Sequence, residues 1–580
     1  MHQTSAGEWR LTTTERRAIL LNNIYGVDLD PQAVEVTKLS LLLKVLEGES
    51  EEAINAQLKM FHERALPDLA DNIKCGNSLI EGSFYDGKEM ALFPEEKQVR
   101  INAFDWSSEF KGISGFDAVI GNPPYIRIQE MQKRNPEEVE YFKEQYQTGS
   151  MGSYDIYVLF VEKALDLLHE KGRMGFILPN KFFTAKYGRA LRGMITQGRH
   201  LFELVDFTDQ QVFKDATTYT TLLFMSKNRN TKFYHTEVKE LHTWRLEPGA
   251  GRKQFPANTL SSDLWVVVHD DKERALYERL KGLRGTKPLS SIIQNIGQGI
   301  RTSRNQVYVL HDVTEHPTEA TVEGHSVELD KRVTVNLPLA KRFLDGKAAK
   351  AYSLSAPGQA VIVPYTVAQG KAYIIEEATM RKIYKKTFDY LTKCKEPLED
   401  RERGRLRGKP NWYGYIYPKN LEVMTSPKLV VPDTANSAAV AIDDQGQYVL
   451  TSGWGITLKE TTKVSLWYVM ALLNSPILDF FWRKVSTRFQ GGYYRYFHEN
   501  LNPIPIYCVN FRDTGEKAIH DAIVADAKAL VEAYETSKTA TTGQIRTNAQ
   551  RAITRLTQKI NKKVADLYGL TIEERTLLGI

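Results

Sequence analysis

Between residues 20 and 226, short β-branched apolar runs alternate with longer stretches of helical periodicity. The runs Ile24–Asp28, Ile73–Cys75, Phe116–Ile120, Arg173–Leu178, Leu201–Phe207 and Thr220–Met225 predict strands. Asp30-Pro31 predicts a helix start, an N-cap with proline in the first turn, and Leu41, Leu42, Val45 and Leu46 then offer a wide apolar face. Tyr157, Phe160, Val161, Ala164 and Leu168 recur as one buried helical stripe, which Gly172 is expected to end. This alternation predicts an α/β domain with a largely parallel sheet over residues 1–230.

The texture changes after that. Residues 231–510 are rich in Tyr, Trp, Pro, Gly and basic side chains, with irregular strands, and predict a separate α+β domain. In residues 511–580 one stripe runs Ile519, Ile523, Ala527, Leu530, Tyr534 and another Ile553, Leu556, Ile560, Val564, Leu567. They predict a helical hairpin turning near Thr541–Gly543, an element suited to a scaffold or a subunit contact.

Composition narrows the class without choosing a function. With 42% hydrophobic and 26% charged residues, a disordered or collagen-like chain is excluded. Apolar runs such as Leu264–Val268 are far too short to cross a bilayer, and the first ten residues hold no apolar signal region. Cys75, Cys394 and Cys508 are too widely spaced for a zinc cluster and suit a reduced, cytoplasmic protein with no metal. The formal charge of +6 permits a polyanionic partner without requiring one.

The segment Phe116–Ile128 carries the most chemical information. An apolar strand runs directly into Asn122-Pro123-Pro124-Tyr125. Two consecutive prolines fix φ, remove two backbone donors and hold the preceding residues extended. The product is a stiff loop at the end of a strand, where open α/β sheets bind ligands. It presents one amide, free carbonyls and one aromatic ring. That set suits methyl transfer to an amino or amide nitrogen: the Asn122 side-chain oxygen and the Pro123 carbonyl each accept one N–H, and the lone pair turns toward a methyl donor. Positioning and electrostatics then carry the rate, without a strong general base. The Tyr125 ring is placed to stack on a planar base. By itself, Pro-Pro-Tyr also fits a merely rigid turn.

The segment resembles the fourth motif of S-adenosylmethionine-dependent amino-methyltransferases, and other pieces resemble that family in order around it. Asn23–Pro31 resembles the second motif, which implies that Asp28 holds the cofactor ribose; read alone, Asp28 fits a turn equally well. Asn72–Leu79 resembles the third, which implies an adenine contact from Asn77, where many members carry Asp. Ser153–Tyr157 resembles the fifth and Gly172–Asn180 the sixth. Val212–Ala216 with Thr217–Leu222 resembles the eighth, which makes Phe213 either a second ring on the target base or a core side chain.

Order and spacing look most like the large adenine-specific DNA methyltransferases of restriction–modification and phage-defence systems, type IIG-like members included. The likeness implies a Rossmann-like cofactor sheet, an α+β target-recognition domain and a C-terminal helical segment. It extends into the second region through Asn295–Thr302 and Phe489–Tyr496. It implies S-adenosylmethionine as donor, double-stranded DNA as partner and flipping of the target adenine for N6 methylation. Candidate DNA contacts are Arg401, Arg403, Arg405, Arg407 and Lys409 with Trp412 and Tyr413, then Arg488, Tyr493 and Arg495. The first set also fits a solvated loop whose aromatics pack inward.

One family element is missing. The first motif, a Gly-rich strand-to-helix turn, should precede the Asp28 strand, yet residues 1–22 contain only Gly7. In the family that strand lies mid-sheet, between the strands expected at Ile24–Asp28 and Phe116–Ile120. Its absence predicts two strands with unpaired edges. The reading is therefore an adenine-N6 methyltransferase, or the greater part of one, with the missing motif supplied by a second chain or a longer reading frame. The alternatives are a catalytically silent DNA-binding subunit, and an enzyme acting on RNA bases or protein glutamine. Nothing in the sequence predicts a nuclease.

Overall fold

The computed structural model describes residues 2–3, 9–47, 68–88, 93–150, 152–214, 218–355, 358–496 and 498–580. The chain divides into two compact units, Met1–Trp265 and Val266–Ile580.

In the first unit, helix α1 (Thr13–Asn23) starts at a reciprocal capping box between Thr12 and Glu15. Strand β1 (Gly26–Asp28) follows, then α2 (Pro31–Leu46), whose N-cap Asp30 accepts from the Gln32 amide. Strand β2 (Ile73–Cys75) lies parallel to β1, with Asp28 opposite Cys75. The buried Asn72 side chain ties this pair to α1 by donating to the Leu21 and Ile24 carbonyls, both at 2.9 Å. Leu20, Val34, Val45, Leu69 and Ile73 form the local core.

A six-stranded sheet makes up the rest of this unit. Its strands are β3 (Phe116–Gly121), β4 (Leu168–Pro179), β5 (Leu201–Asp206), β6 (Thr220–Ser226), β7 (Lys232–Glu237) and β8 (Lys253–Pro256), in the spatial order β8-β7-β5-β6-β4-β3. The sheet is mixed, not largely parallel. β3 pairs with β4 and β5 with β7 in parallel, but β6 runs antiparallel to both β4 and β5. The reason is the β5–β6 connection, whose described residues form only turns; a parallel return needs a crossover element.

Helix α3 (Tyr157–Leu167) ends where β4 begins, so Gly172 lies inside a strand and does not stop a helix. A Cβ there would sit 2.6 Å from the Phe116 carbonyl oxygen, and the glycine is what lets β3 approach. The unit also runs past residue 230, because β7 and β8 complete the sheet and the Trp265 amide donates to the Phe183 carbonyl at 3.0 Å.

The feature that bears on function is a break in the sheet. β1 pairs only with β2, and β3 only with β4, among the described residues. Both open edges start at one place: Tyr25, just before β1, lies 6.0 Å ring to ring from Phe116, the first residue of β3. Parallel strands are normally covered on both faces, yet Ile120 in β3 is 86% exposed. The two unpaired edges stand where the absent first motif predicts them.

The second unit holds a four-stranded antiparallel sheet (Ile293–Gln298, Trp454–Leu458, Lys428–Val431, Ala441–Asp443) and a six-stranded one built around Val309–His316 and Ala360–Ile362. Lys428 and Asp443, both buried, form an ion pair across adjacent strands of the first. After helix α4 (Pro476–Val485), the expected hairpin is present as α5 (Thr514–Thr539) and α6 (Gly543–Leu567), with Ile523, Leu530, Ile553, Leu556, Ile560 and Val564 buried. No described helix is long and apolar enough to cross a membrane.

Candidate active site

β3 delivers Asn122-Pro123-Pro124-Tyr125 to its C-terminal end, with Pro123 buried and Asn122 and Pro124 exposed. The chain beyond is pinned at once. Ile128 donates to the Tyr154 carbonyl at 2.8 Å and Ile156 to the Ile126 carbonyl at 2.9 Å, so the Ser153–Tyr157 segment braces the proline corner. These bonds compensate for the donors that the prolines lack.

Tyr125 is half-buried. Its hydroxyl lies 3.0 Å from Asn122 Oδ1 and 3.3 Å from the Ile177 carbonyl, so its single proton is shared between two acceptors. Burial pushes the phenol up to about 12, which keeps it a donor at neutral pH. The bond orients the Asn122 amide with its oxygen toward Tyr125. A carbonyl oxygen has two lone pairs, and the second remains free for another donor. Beneath, the Tyr125 ring meets Tyr157 edge-on at 6.3 Å. The Tyr157 hydroxyl lies 2.9 Å from that of Tyr187, which donates to Asp155 at 3.3 Å. Burial raises the Asp155 carboxyl above its ordinary value. Tyr187 and the Ile177 carbonyl were not candidates from sequence. They lie 62 and 52 residues from Tyr125 along the chain, and only the fold brings them to it.

Asp28 and Asn77 come from neighbouring parallel strands, at the same end. Asp28 is exposed, and one carboxylate oxygen accepts the Asp30 amide at 2.8 Å. The Asn77 side-chain oxygen accepts from the Leu79 amide at 3.1 Å, while the Asn77 backbone amide donates to the Asn102 carbonyl at 2.7 Å. Gly76 between them is required by packing, since a Cβ would come within 2.4 Å of the Phe104 ring. At the end of β5, half-buried Asp206 accepts from Asn180 Nδ2 at 3.1 Å, and desolvation pushes its carboxyl up to about 6. Phe213 is half-buried; residues 215–217 of the expected eighth motif lie outside the described residues.

The expected DNA contacts separate into two groups. Arg401, Trp412 and Tyr413 are corrected by the structure, because all three are buried. Arg401 donates to the carbonyls of Leu398, Thr302, Trp412 and Gly414 and so staples the loop from inside. The Tyr413 hydroxyl finds the Ile375 carbonyl, as a buried phenol must find an acceptor. Arg403, Arg405, Arg407 and Lys409 remain exposed on the outer turn. Left-handed backbone at Arg403 (φ 62°) and Gly404 (φ 78°) makes that turn tight. Arg405 reaches the Tyr417 hydroxyl and Arg407 pairs with Asp400. Arg488, Tyr493 and Arg495 are exposed on a short hairpin, Arg488–Phe489 against Tyr493–Arg495.

Comparison with known proteins agrees with this layout. Residues 22–213 match the family model of the Eco57I restriction-modification methylase, and residues 341–506 that of the TaqI-like C-terminal specificity domain. Its homologues are type II restriction–modification methyltransferases. The type II restriction enzyme and methyltransferase RM.Eco57I of Escherichia coli is 29% identical over 93% of this chain and 53% of its own length. The type II methyltransferase M.PaeR7I of Pseudomonas aeruginosa is 25% identical over 80% and 72%. The chain thus spans about half the length of the first of these relatives. A structure of the type IIL restriction-modification enzyme MmeI in complex with DNA shares the fold, with a TM-score of 0.51 at 13% identity, over 98% of this chain and 75% of that one. The methylase match contains Asp28, Asn77, Asn122 and Tyr125; the specificity match contains the Arg403–Lys409 turn.

The exposed turn yields a quantitative expectation. If Arg403, Arg405 and Arg407 meet phosphates, their joint replacement by Gln weakens DNA binding and lowers the slope of log K against log salt by about 0.9 per lost contact. An unchanged slope in a salt titration would remove the turn from the interface.

Proposed function

We propose that this chain is the methyl-transferring and sequence-reading part of an adenine-N6 DNA methyltransferase that uses S-adenosylmethionine and acts in the cytoplasm within a restriction–modification system. The observation that carries the reading is the braced corner at the end of β3. It presents the Asn122 side-chain oxygen with one lone pair held by Tyr125 and the other open.

For the amine, Asn122 Oδ1 and the Pro123 carbonyl accept the two N6 hydrogens and favour a pyramidal nitrogen. The Tyr125 ring and, with it, Phe213 cover the flipped base. The bound donor supplies an electrophilic methyl group. Asp28 and Asn77 fit its adenosine end, since the exposed carboxylate suits vicinal hydroxyls and the Asn77 amide a ring nitrogen. The methionine end does not find its Gly-rich turn among the described residues. The open edges of β1 and β3 supply the place for it. A parallel strand inserted there, from a second chain or a longer one, would pair both edges, cover Ile120 and bring in the turn.

Titration calorimetry with S-adenosylmethionine tests the proposal. The chain by itself is expected to bind weakly or not at all, and binding is expected to appear once the strand and its Gly-rich turn are supplied. Failure of the completed protein to bind would leave a silent DNA-binding subunit as the better reading.

A further inference from the structure

The hairpin helices α5 and α6 differ in their charge pattern. The solvent face of α5 mixes both signs in local pairs, Lys517 with Asp521 and Lys538 with Glu535. The outward stripe of α6 reads Gln544, Asn548, Arg551, Arg555, Gln558 and Lys562, and all six are exposed. At 100° per residue they fall within one narrow sector opposite the buried Ile553, Leu556 and Ile560. The stripe contains no carboxylate until Asp566, and Arg575 occupies that one at 2.8 Å. Lys559 and Lys563, which flank the stripe, are both spent on Asp526. Arg551, Arg555 and Lys562 make no ion pair or hydrogen bond with any described residue.

A solvated helix face is usually laced with opposite charges at i, i+3 or i, i+4, as α5 is. An unpaired row of cations flanked by neutral amide donors fits a line of anions instead. Arg551 to Lys562 spans about 16 Å at 1.5 Å per residue, and duplex DNA carries one phosphate per about 1.7 Å of axis.

We propose that the Arg551–Arg555–Lys562 stripe of α6 is a second DNA contact, which grips the phosphate backbone without reading sequence. The inference rests on the DNA-binding reading above and assigns the hairpin a role beyond scaffold. Amide side chains add neutral hydrogen bonds to phosphate oxygens, and the guanidinium groups supply charge.

The test is a salt titration of binding to a cognate and a random duplex, with the full chain and its triple variant Arg551→Gln, Arg555→Gln, Lys562→Gln. The expected result is a slope shallower by about 2–3, from about 0.9 per phosphate contact, with affinity falling by the same factor on both duplexes. The charge-conserving variant Arg551→Lys, Arg555→Lys, Lys562→Arg is expected to keep the slope. An unchanged slope in the Gln variant, with unaltered thermal stability, overturns the stripe alone. A loss confined to the cognate duplex also overturns it, because phosphate contacts are indifferent to sequence. If the unaltered chain binds neither duplex, the DNA reading falls and the stripe falls with it.

Discussion

Asn122→Ala is expected to lower methyl transfer by the complete enzyme by about 10²–10³-fold or more, the range seen when one preorganised polar group is removed from a reaction centre. DNA affinity is expected to stay within about twofold, since phosphate contacts dominate it. One oxygen carries the effect. Asn122 Oδ1 is fixed in direction by Tyr125, whose hydroxyl is itself held between Oδ1 and the Ile177 carbonyl. On the proposed reading, removing the amide deletes one of the two acceptors for the amine, and the Pro123 carbonyl, already engaged with the other N6 hydrogen, does not replace it. The measurement is transfer of labelled methyl groups to duplex DNA beside a binding isotherm for the same protein. Turnover near that of the unaltered enzyme would end the assignment of Asn122.

The second large effect concerns stability. Lys428→Met is expected to destabilise the Val266–Ile580 unit by about 3–5 kcal/mol, the usual consequence of leaving one member of a buried ion pair without its partner. Lys428 is fully buried and donates to Asp443 and to the Met424 carbonyl. Asp443 also accepts the Gln447 and Tyr448 amides, each at 2.9 Å, so the carboxylate is bound to the backbone and cannot leave when the lysine is lost. Those two amides alone do not balance a full buried charge. Burial lowers the Lys428 ammonium from its ordinary value while Asp443 opposes that shift. Urea unfolding followed by tryptophan fluorescence reads the change, and a loss below about 1 kcal/mol, the usual worth of an exposed pair, would show that water reaches the pair.

The first prediction depends on a contact between distant stretches of chain, Tyr125 with the Ile177 carbonyl, whereas the second rests on neighbouring strands, and this contrast separates what is legible in the sequence from what is not. Local order was written in local residues. Asp30-Pro31 caps and starts α2, the apolar stripes of α5 and α6 turn inward except at exposed Ile519, and Ile73–Cys75 is a strand as its pattern predicts. The Asn122–Tyr125 corner was equally plain, because two prolines in a row dictate backbone shape with little help from elsewhere. The missing first motif was visible too, and the open edges of β1 and β3 are its physical counterpart.

Tertiary structure decided the rest. Gly172 looked like a helix stop because helix ends favour glycine, but the Phe116 carbonyl needs the space. Arg401, Trp412 and Tyr413 looked like a DNA surface because basic and aromatic residues were interleaved. Satisfying buried backbone carbonyls requires the same residue types. The stripe on α6 is not legible in the sequence, because its amides and cations are ordinary one at a time; only exposure, and the lack of ion-pair partners for its cations among the described residues, distinguish it. Backbone restriction and periodicity act over a few residues and can be read from them, whereas burial and pairing depend on which distant segments meet.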